Sequence, residues 1–519
     1  MKAKLYALRD WAVENKGKLI VASIILLAAF FRFWQLGSIP YGLYADEAVN
    51  GLDALAASNG DIKPFYTANN GREGLFILLQ GLSVFILGNT ILALRLVPAI
   101  IGVLAVWATY LFVNETFSKR AAMLSAFMMA SAPWAVTMSR LGFRAGFIVL
   151  LLPLLGWLVV KALKTKRPFY WAMSGIVLGF GFYTYISWRA LPVALGLIAV
   201  FALIYNRKKF IGSIKYMLIA GLTALIAILP LGIYTYQHPE EVLAVRSSVS
   251  FTNPELNEGQ PLITLAHNIG ETALMFNSAG DQNWRHNLAG EPMLNAFVGI
   301  LFLLGLILSI RRIKDIRYFT LLAVFAAMLL PMVLTAEGIP HSLRAIGLMP
   351  VVYILAAIGL VELIFRWRGI FPKNPASYTM ALAIVALLLS FSTFYNYKRY
   401  FVAYANAPEM YAAFNEAELE IADYLNNKEW QITPKVITDP HDNSTILYLT
   451  KNKTEYEFLK VEEAGKLTAG DTLILARKDK QELERHLEEG LILELEQNIE
   501  SEKQLGTVLA RVYSVIHKE

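Results

Sequence analysis

Long apolar runs alternate with short polar and basic segments from Leu19 to Tyr395. The first run is Leu19 to Gln35. It is followed by Leu75 to Leu87, Ile91 to Val113, Ala121 to Thr137, Phe147 to Val160, Phe169 to Ile186 and Leu191 to Tyr205. Then come Tyr216 to Tyr236, Met293 to Ile310, Tyr318 to Thr335, Ile346 to Phe365 and Tyr378 to Tyr395. Most approach the roughly 20 residues that cross a bilayer as a helix, whereas Leu75 to Leu87 falls well short. Its sidedness fixes every later loop, and the basic clusters arbitrate. If it stays at the interface, Lys119-Arg120, Lys161 to Arg167, Arg207 to Lys209, Arg311 to Arg317 and Arg366 to Lys373 share the side of the basic N-terminus. If it crosses, all five lie opposite, against the positive-inside bias.

The pattern therefore predicts a mainly α, polytopic transmembrane bundle of about eleven spans, with an interfacial helix in the first outer loop. Its N-terminus is cytoplasmic. The basic N-terminus also suits a signal peptide, but Phe30-Phe31-Arg32-Phe33-Trp34 closes the first run without a small-residue cleavage site, so the run is read as retained. From about Lys398 the periodicity changes. Ala412 to Asn426 and Lys478 to Glu489 read as helices, and Lys435 to Thr438, Thr472 to Ala476, Leu491 to Leu495 and Thr507 to Val515 as strands. The expected organisation is a transmembrane domain over 1–397, with outer loops 37–90 and 237–292, and a small extracytoplasmic α/β domain over 398–519.

Composition supports this division. Apolar residues make up 56% of the 519 and charged residues 17%, outside the range of soluble domains. The net charge of +6 does not indicate nucleic acid, because the basic residues are parcelled into loops between apolar runs. The absence of cysteine excludes disulfides, thiolate metal sites and a cysteine nucleophile.

The predicted outer loops hold polar residues that topology does not explain: Asp46, Glu47, Arg72, Glu73, Arg140, Arg144, Arg189, Asp281, Arg285, His286, His341 and Arg344. Cations placed against the topological bias suit an anionic ligand. Asp46 and Glu47 are candidate catalytic acids, as general base or metal ligand, with the neighbouring Tyr44 as a sugar or acceptor contact. The alternative is two helix N-terminal acids favoured by the dipole of the segment 48–58. Arg72 follows Asn69-Asn70-Gly71 and can clamp phosphate, with Asn70 and Glu73 as sugar or acceptor contacts, or it is an interfacial anchor. Arg140 and Arg144 are spaced to share a face if helical, as phosphate ligands or as residues snorkelling from span ends. Asp281, Arg285, His286 and Asn287 have sugar-binding chemistry beside Trp284, and His341 and Arg344 suit phosphate contact. No cofactor is firmly expected. A divalent metal on His286 and His341 remains open, although no known metal-motif spacing is present.

The succession of a first span, an outer-loop Asp46-Glu47, an Asn-Gly turn entering a short apolar helix, and the arginine-bearing span ALRLVPAIIGVLAVWATYLF resembles the C-type membrane glycosyltransferases. Within them it resembles glycosyltransferase family 39, the protein O-mannosyltransferase-like and aminoarabinose transferase-like enzymes. The resemblance implies sugar transfer, with inversion, from a polyprenyl-phosphate carrier to a lipid, glycan or protein acceptor outside the cytoplasm, at the plasma membrane in a prokaryote or in the endoplasmic reticulum lumen in a eukaryote, and the absence of long hydrophilic insertions favours the prokaryote. It gives Asp46 the role of base or acceptor-positioning acid. It gives Arg72 that of the basic residue preceding the family's Pro-Pro-Leu helix, although here Glu73-Gly74-Leu75 stands at that place. No cytoplasmic glycine-rich phosphate loop points to a nucleotide-sugar donor. Rival readings are a glycan polymerase or ligase using a diphosphate-linked donor, a lipid-linked sugar flippase, and a scaffold displaying the C-terminal domain. A flippase needs ionisable residues near mid-span, where the runs are nearly free of them.

Overall fold

A computed structural model describes residues 14–69, 71–243, 250–476 and 480–518. Every apolar run named above is helical. Seven described helices are long and apolar enough to cross a membrane: Ile91–Thr116, Gly146–Thr165, Ile186–Tyr205, Arg207–Gln237, Ile316–Val333, Ile346–Ile370 and Pro375–Asn406. An eighth is possible if Lys119–Ser131 and Pro133–Arg140, bent by 60°, form one broken span. Proline at the first position of the second segment supplies no amide to the helix before it, which accounts for the break. Lys16–Phe33 has the length but carries Lys16, Lys18 and Arg32. Gly74–Leu87 has 14 residues, about 21 Å of helix against about 30 Å of hydrocarbon, in keeping with a helix that does not cross.

The chain divides into two compact units, the first comprising 1–34, 63–76 and 96–403. Its centre is Met349–Ile370. Every residue from Met349 to Leu360 is buried, so this half of the helix is enclosed on all sides, as its uniform hydrophobicity requires. Glycines set the spacing against its neighbour Ala296–Arg311. A Cβ on Gly305 would sit 1.8 Å from the Leu355 carbonyl oxygen, and one on Gly359 would sit 2.3 Å from that of Leu301. Gly175 and Gly179 do the same for Pro168–Gly181 against Arg207–Gln237, where added Cβ atoms would meet the carbonyls of Ala220 and Ala224 at 2.0 and 2.7 Å. These are the close backbone approaches by which membrane helices associate. A two-stranded antiparallel ribbon, β1 (Phe65–Tyr66) with β2 (Arg72–Glu73), completes the part that matters for function.

The second unit comprises 35–62, 77–95 and 404–519. The C-terminal domain predicted from 398 is therefore compact together with two pieces of the first outer segment. Its sheet holds β3 (Lys435–Ile437), β4 (Glu457–Leu459), β5 (Thr472–Ala476), β6 (Leu491–Glu500) and β7 (Val508–His517) in the order β4-β3-β5-β7-β6. β3 runs parallel to both neighbours, and β7 is antiparallel to β5 and β6. Of the helix predicted over 478–489, Lys480–Glu484 forms, and 477–479 lie outside the described residues. The helix Asn443–Thr450 and the strand β4 had no counterpart in the sequence pattern. Asn443–Thr450 packs on Ala45–Ser58, where a Cβ on Gly51 would collide with the Tyr448 ring at 2.7 Å, while Thr445 Oγ1 donates to the Leu43 carbonyl and Tyr448 OH to that of Thr90.

One buried ion pair holds this assembly in register. Arg95 and Glu47 are both fully buried and 3.1 Å apart. The guanidinium also donates to the Pro40 and Gly42 carbonyls at 2.7 and 2.8 Å. All the contacts gather the loop entering Ala45–Ser58 around one planar fork of donors.

Two consequences are measurable. Gly305→Val should lower the thermal midpoint of the detergent-solubilised protein by several degrees, since Leu355 backbone cannot yield, and an unchanged midpoint would rule out this helix crossing. Glu47→Ala should destabilise the second unit by about 3–5 kcal/mol, the usual cost of orphaning a buried partner. Protease sensitivity of the 404–519 segment in membranes is the readout.

Candidate functional site

In the second unit, Asp46 and Glu47 occupy the first turn of Ala45–Ser58, where the helix dipole favours acids. Successive residues of a helix point about 100° apart, so Glu47 turns inward to Arg95 while Asp46 keeps a side chain 26% exposed. Tyr44 OH donates to Asp46 Oδ2, and His441 Nε2 lies 3.3 Å from Asp46 Oδ1. Asp46 is thus a solvent-reached carboxylate gripped from both sides. Glu47, the other candidate acid, is committed to the ion pair.

In the first unit, β2 presents Arg72 and Glu73 to opposite sides, as strand alternation requires. Arg72 is fully buried and donates from Nε to the Ala68 carbonyl at 3.1 Å. The turn between the strands needs Gly71, whose φ is +78° and where a Cβ would meet the Phe65 ring at 2.5 Å. Asn70 lies outside the described residues. Glu73, also buried, receives Arg144 Nε at 3.2 Å and Arg189 Nη2 at 3.5 Å. Arg144 further donates to the Gly71 carbonyl at 3.2 Å and stacks over the Tyr185 ring. Burial raises the Tyr185 hydroxyl above its ordinary range, against the nearby charges of Arg144 and Arg344. Two guanidinium groups therefore share one carboxylate.

Arg140 and Arg144 do not share a face. The helix Pro133–Arg140 ends at Arg140, and Leu141 is extended. Arg140 instead turns to the carboxyl end of Lys16–Phe33, donating to the carbonyls of Phe31 and Arg32 at 3.1 and 3.0 Å, with Nε on Tyr400 OH. It satisfies carbonyls that a helix end leaves without amide partners. Arg32 is buried against the carbonyls of Ala28 and Ala130.

Loop 281–292 and the turn 341–344 form a third group. Asp281 Oδ2 accepts from Ser342 N, Ser342 Oγ and His286 Nδ1 at 2.7, 2.9 and 3.1 Å, and Oδ1 from Asn283 N at 2.8 Å. Burial works to raise the Asp281 carboxyl, but the His286 hydrogen bond, the neighbouring His286 and His341 rings, and the Asn283 amide hold it at about 2. The His286 and His341 rings lie 4.7 Å apart. Burial, then the charges of His286 and Arg344, lower His341 to about 3, leaving a neutral imidazole at pH 7. Asn287 spends its amide on the Asp281 and Glu291 carbonyls and accepts from Arg399, a framework role in this loop. Arg285 Nε bonds Asn283 Oδ1 at 3.2 Å. Arg344 is fastened to Thr335 Oγ1 at 3.1 Å and to the Glu337 carbonyl.

Arg95 and His441 were not singled out from sequence. A charge inside an apolar run was the available signal for Arg95. His441 lies in a polar turn of the C-terminal segment, and nothing in the sequence links it to Asp46.

Residues 75–234 match the family profile described as dolichyl-phosphate-mannose-protein mannosyltransferase. The Bacillus subtilis (strain 168) protein named "Putative mannosyltransferase YkcB" is 26% identical over 219 residues, covering 40% of this chain and 30% of that protein. The match thus spans less than a third of that relative. Among solved structures, ArnT from Cupriavidus metallidurans bound to undecaprenyl phosphate is similar over 97% of this chain and 98% of its own, at TM-score 0.59 and 12% identity. The archaeal oligosaccharyltransferase AglB from Archaeoglobus fulgidus, in complex with an inhibitory peptide and a dolichol-phosphate, is similar over 86% of this chain and 65% of its own, at TM-score 0.52 and 17% identity. The chain therefore has a fold similar to that of ArnT and AglB and matches, over residues 75–234, the profile described as dolichyl-phosphate-mannose-protein mannosyltransferase.

Proposed function

We propose that this protein is an integral membrane glycosyltransferase that moves a sugar from a polyprenyl-phosphate carrier to an acceptor hydroxyl or amine outside the cytoplasm, with inversion. The observation that carries the reading is the buried Glu73 shared by Arg144 and Arg189, at the edge of the family-matched segment. One carboxylate leaves this cluster a surplus of positive charge, which suits a phosphate that gains negative charge as it departs. The names of two structural neighbours support the donor class, since ArnT was solved with undecaprenyl phosphate and AglB with dolichol-phosphate.

Within the first unit the reading assigns carrier recognition to Arg144 and Arg189, and it keeps Asp46, in the second unit, as the candidate base. The acceptor oxygen or nitrogen forms a bond to the anomeric carbon. The bond from that carbon to the phosphate oxygen breaks, and its electron pair leaves with the carrier phosphate. The acceptor proton passes to a base, the role in which Asp46, oriented within its own unit by Tyr44 and His441, is tested below. Glu47 contributes by holding Arg95, and with it the loop from which Asp46 projects. About eleven spans, an outward C-terminal segment and a place in the plasma membrane belong to the same reading, supported by the distribution of basic loops. A polymerase or ligase with a diphosphate-linked donor is the second reading, favoured by the number of arginines around Glu73.

Purified full-length protein, incubated with a panel of radiolabelled polyprenyl-phosphate sugars, should transfer at least one of them. Asp46→Asn should lower kcat at least about a hundredfold with donor KM nearly unchanged. Arg144→Ala should chiefly raise donor KM, by about tenfold or more for a lost charge-assisted contact. Full turnover by Asp46→Asn removes it as base, and transfer only from diphosphate-linked donors replaces this reading with the second.

A further inference from the structure

The group formed by Asp281, His286 and His341 is left unused by the transfer reaction. Each offers a donor atom, and these atoms all lie within 4.8 Å of one another. Asp281 and His286 are buried, and the Phe143 ring packs edge-on against His286 at 5.6 Å. His286 Nδ1 and Asp281 Oδ2 lie 3.1 Å apart, close to the separation of two ligand atoms on one tetrahedral ion. His341 Nδ1 is met by the Arg344 amide at 3.4 Å, beyond the usual hydrogen-bond range, so exchanging that contact for a stronger one loses little.

A structural reading explains the carboxylate alone. Ser342 and Asn283 already tie the two loops through Asp281. They do not account for two imidazoles 4.7 Å apart. Arg344 opposes a cation here, yet its guanidinium is directed to Thr335 and Glu337.

We propose that His286 and His341, with Asp281 as third ligand, bind one divalent transition-metal ion of the zinc or cobalt type. Two nitrogen donors and one carboxylate suit these metals over magnesium or calcium, which prefer all-oxygen sites. Bonds of about 2.0–2.2 Å require the donors to close by under roughly 1 Å, and three protein ligands leave a position open to water or to a phosphate oxygen. The proposal stands apart from the transfer reading, because metal binding is measured without any sugar donor.

Full-length protein in detergent, stripped with chelator, is titrated with zinc chloride or cobalt chloride alone. One equivalent should be retained through desalting, and X-ray absorption of the zinc-loaded wild type should count two imidazoles. His286→Ala and His341→Ala should each weaken zinc binding at least about tenfold. His238→Ala should leave it unchanged, although His238 sits beside Glu240 and Glu241 in a more exposed group. Failure of the wild type to retain metal, fewer than two imidazoles in its spectrum, or undiminished binding by His286→Ala/His341→Ala each overturns the assignment. The spectrum of the wild type decides the matter even where a variant does not fold.

Discussion

The fully buried pair of Arg95 and Glu47 is the constraint on which the second unit rests. A guanidinium and a carboxylate withdrawn from water lose solvation worth several kcal/mol each, and mutual attraction recovers this only when the remaining donors are also satisfied. Here they are, because the fork of Arg95 reaches Glu47 and the Pro40 and Gly42 carbonyls together. Those carbonyls belong to the loop entering Ala45–Ser58, so satisfying one charge fixes the start of the helix. The position of Asp46 follows from helical geometry, since the residue beside an inward Glu47 must point elsewhere. An apolar pair in the same place would pack as well but would not gather carbonyls, and the loop would lose its single arrangement.

The first unit repeats the principle with a strand. Glu73 is buried, adjacent to a second charged residue, and held by arginines that arrive from distant parts of the chain. Alternation along β2 sends Arg72 to the other side, to the Ala68 carbonyl. Neighbouring charges in sequence acquire separate roles in both units because the backbone period separates them. The difference lies in stoichiometry. Arg95 and Glu47 balance, whereas Arg144 and Arg189 exceed Glu73 by one charge. Balance suits a fixed structural joint, and an excess suits a site that receives an anion.

What could be read beforehand follows from the range of the forces involved. Each apolar run is a local signal of about 20 residues, and each became helical, Ala121 to Thr137 as two helices broken at Pro133. Short Leu75 to Leu87 and the strand Thr472–Ala476 were legible for the same reason. Asn443–Thr450, rich in β-branched and aromatic residues, was not, because its helix is imposed by packing on Ala45–Ser58. The union of 35–62 and 77–95 with 404–519 rests on contacts such as Asn89 Nδ2 to the Tyr448 carbonyl, across hundreds of residues, which no window detects. Among candidate site residues, the acids near helix starts and the arginine beside Glu73 were visible by type, while their partners were not. His441 on Asp46 is the plainest case.

The outer arginines show why sidedness alone cannot assign function. Arg140 and Arg144 carry the same charge, four residues apart, on the same predicted face of the membrane. The end of one short helix separates them. Arg140 lies on the helical side and spends its donors on carbonyls that the end of Lys16–Phe33 leaves over. Those contacts are fixed by the backbone and leave little of its guanidinium for a ligand. Arg144 lies past the end, where the extended Leu141 redirects the chain, and it meets a carboxylate that Arg189 also claims. A side chain held by carbonyls has its charge solvated by dipoles that cannot be exchanged for a phosphate without unravelling a helix terminus. A side chain held by a shared carboxylate can transfer part of its interaction to an arriving anion while Glu73 keeps the other arginine. Competition for a partner, more than exposure or charge, therefore distinguishes a guanidinium available for binding from one that the fold has already consumed.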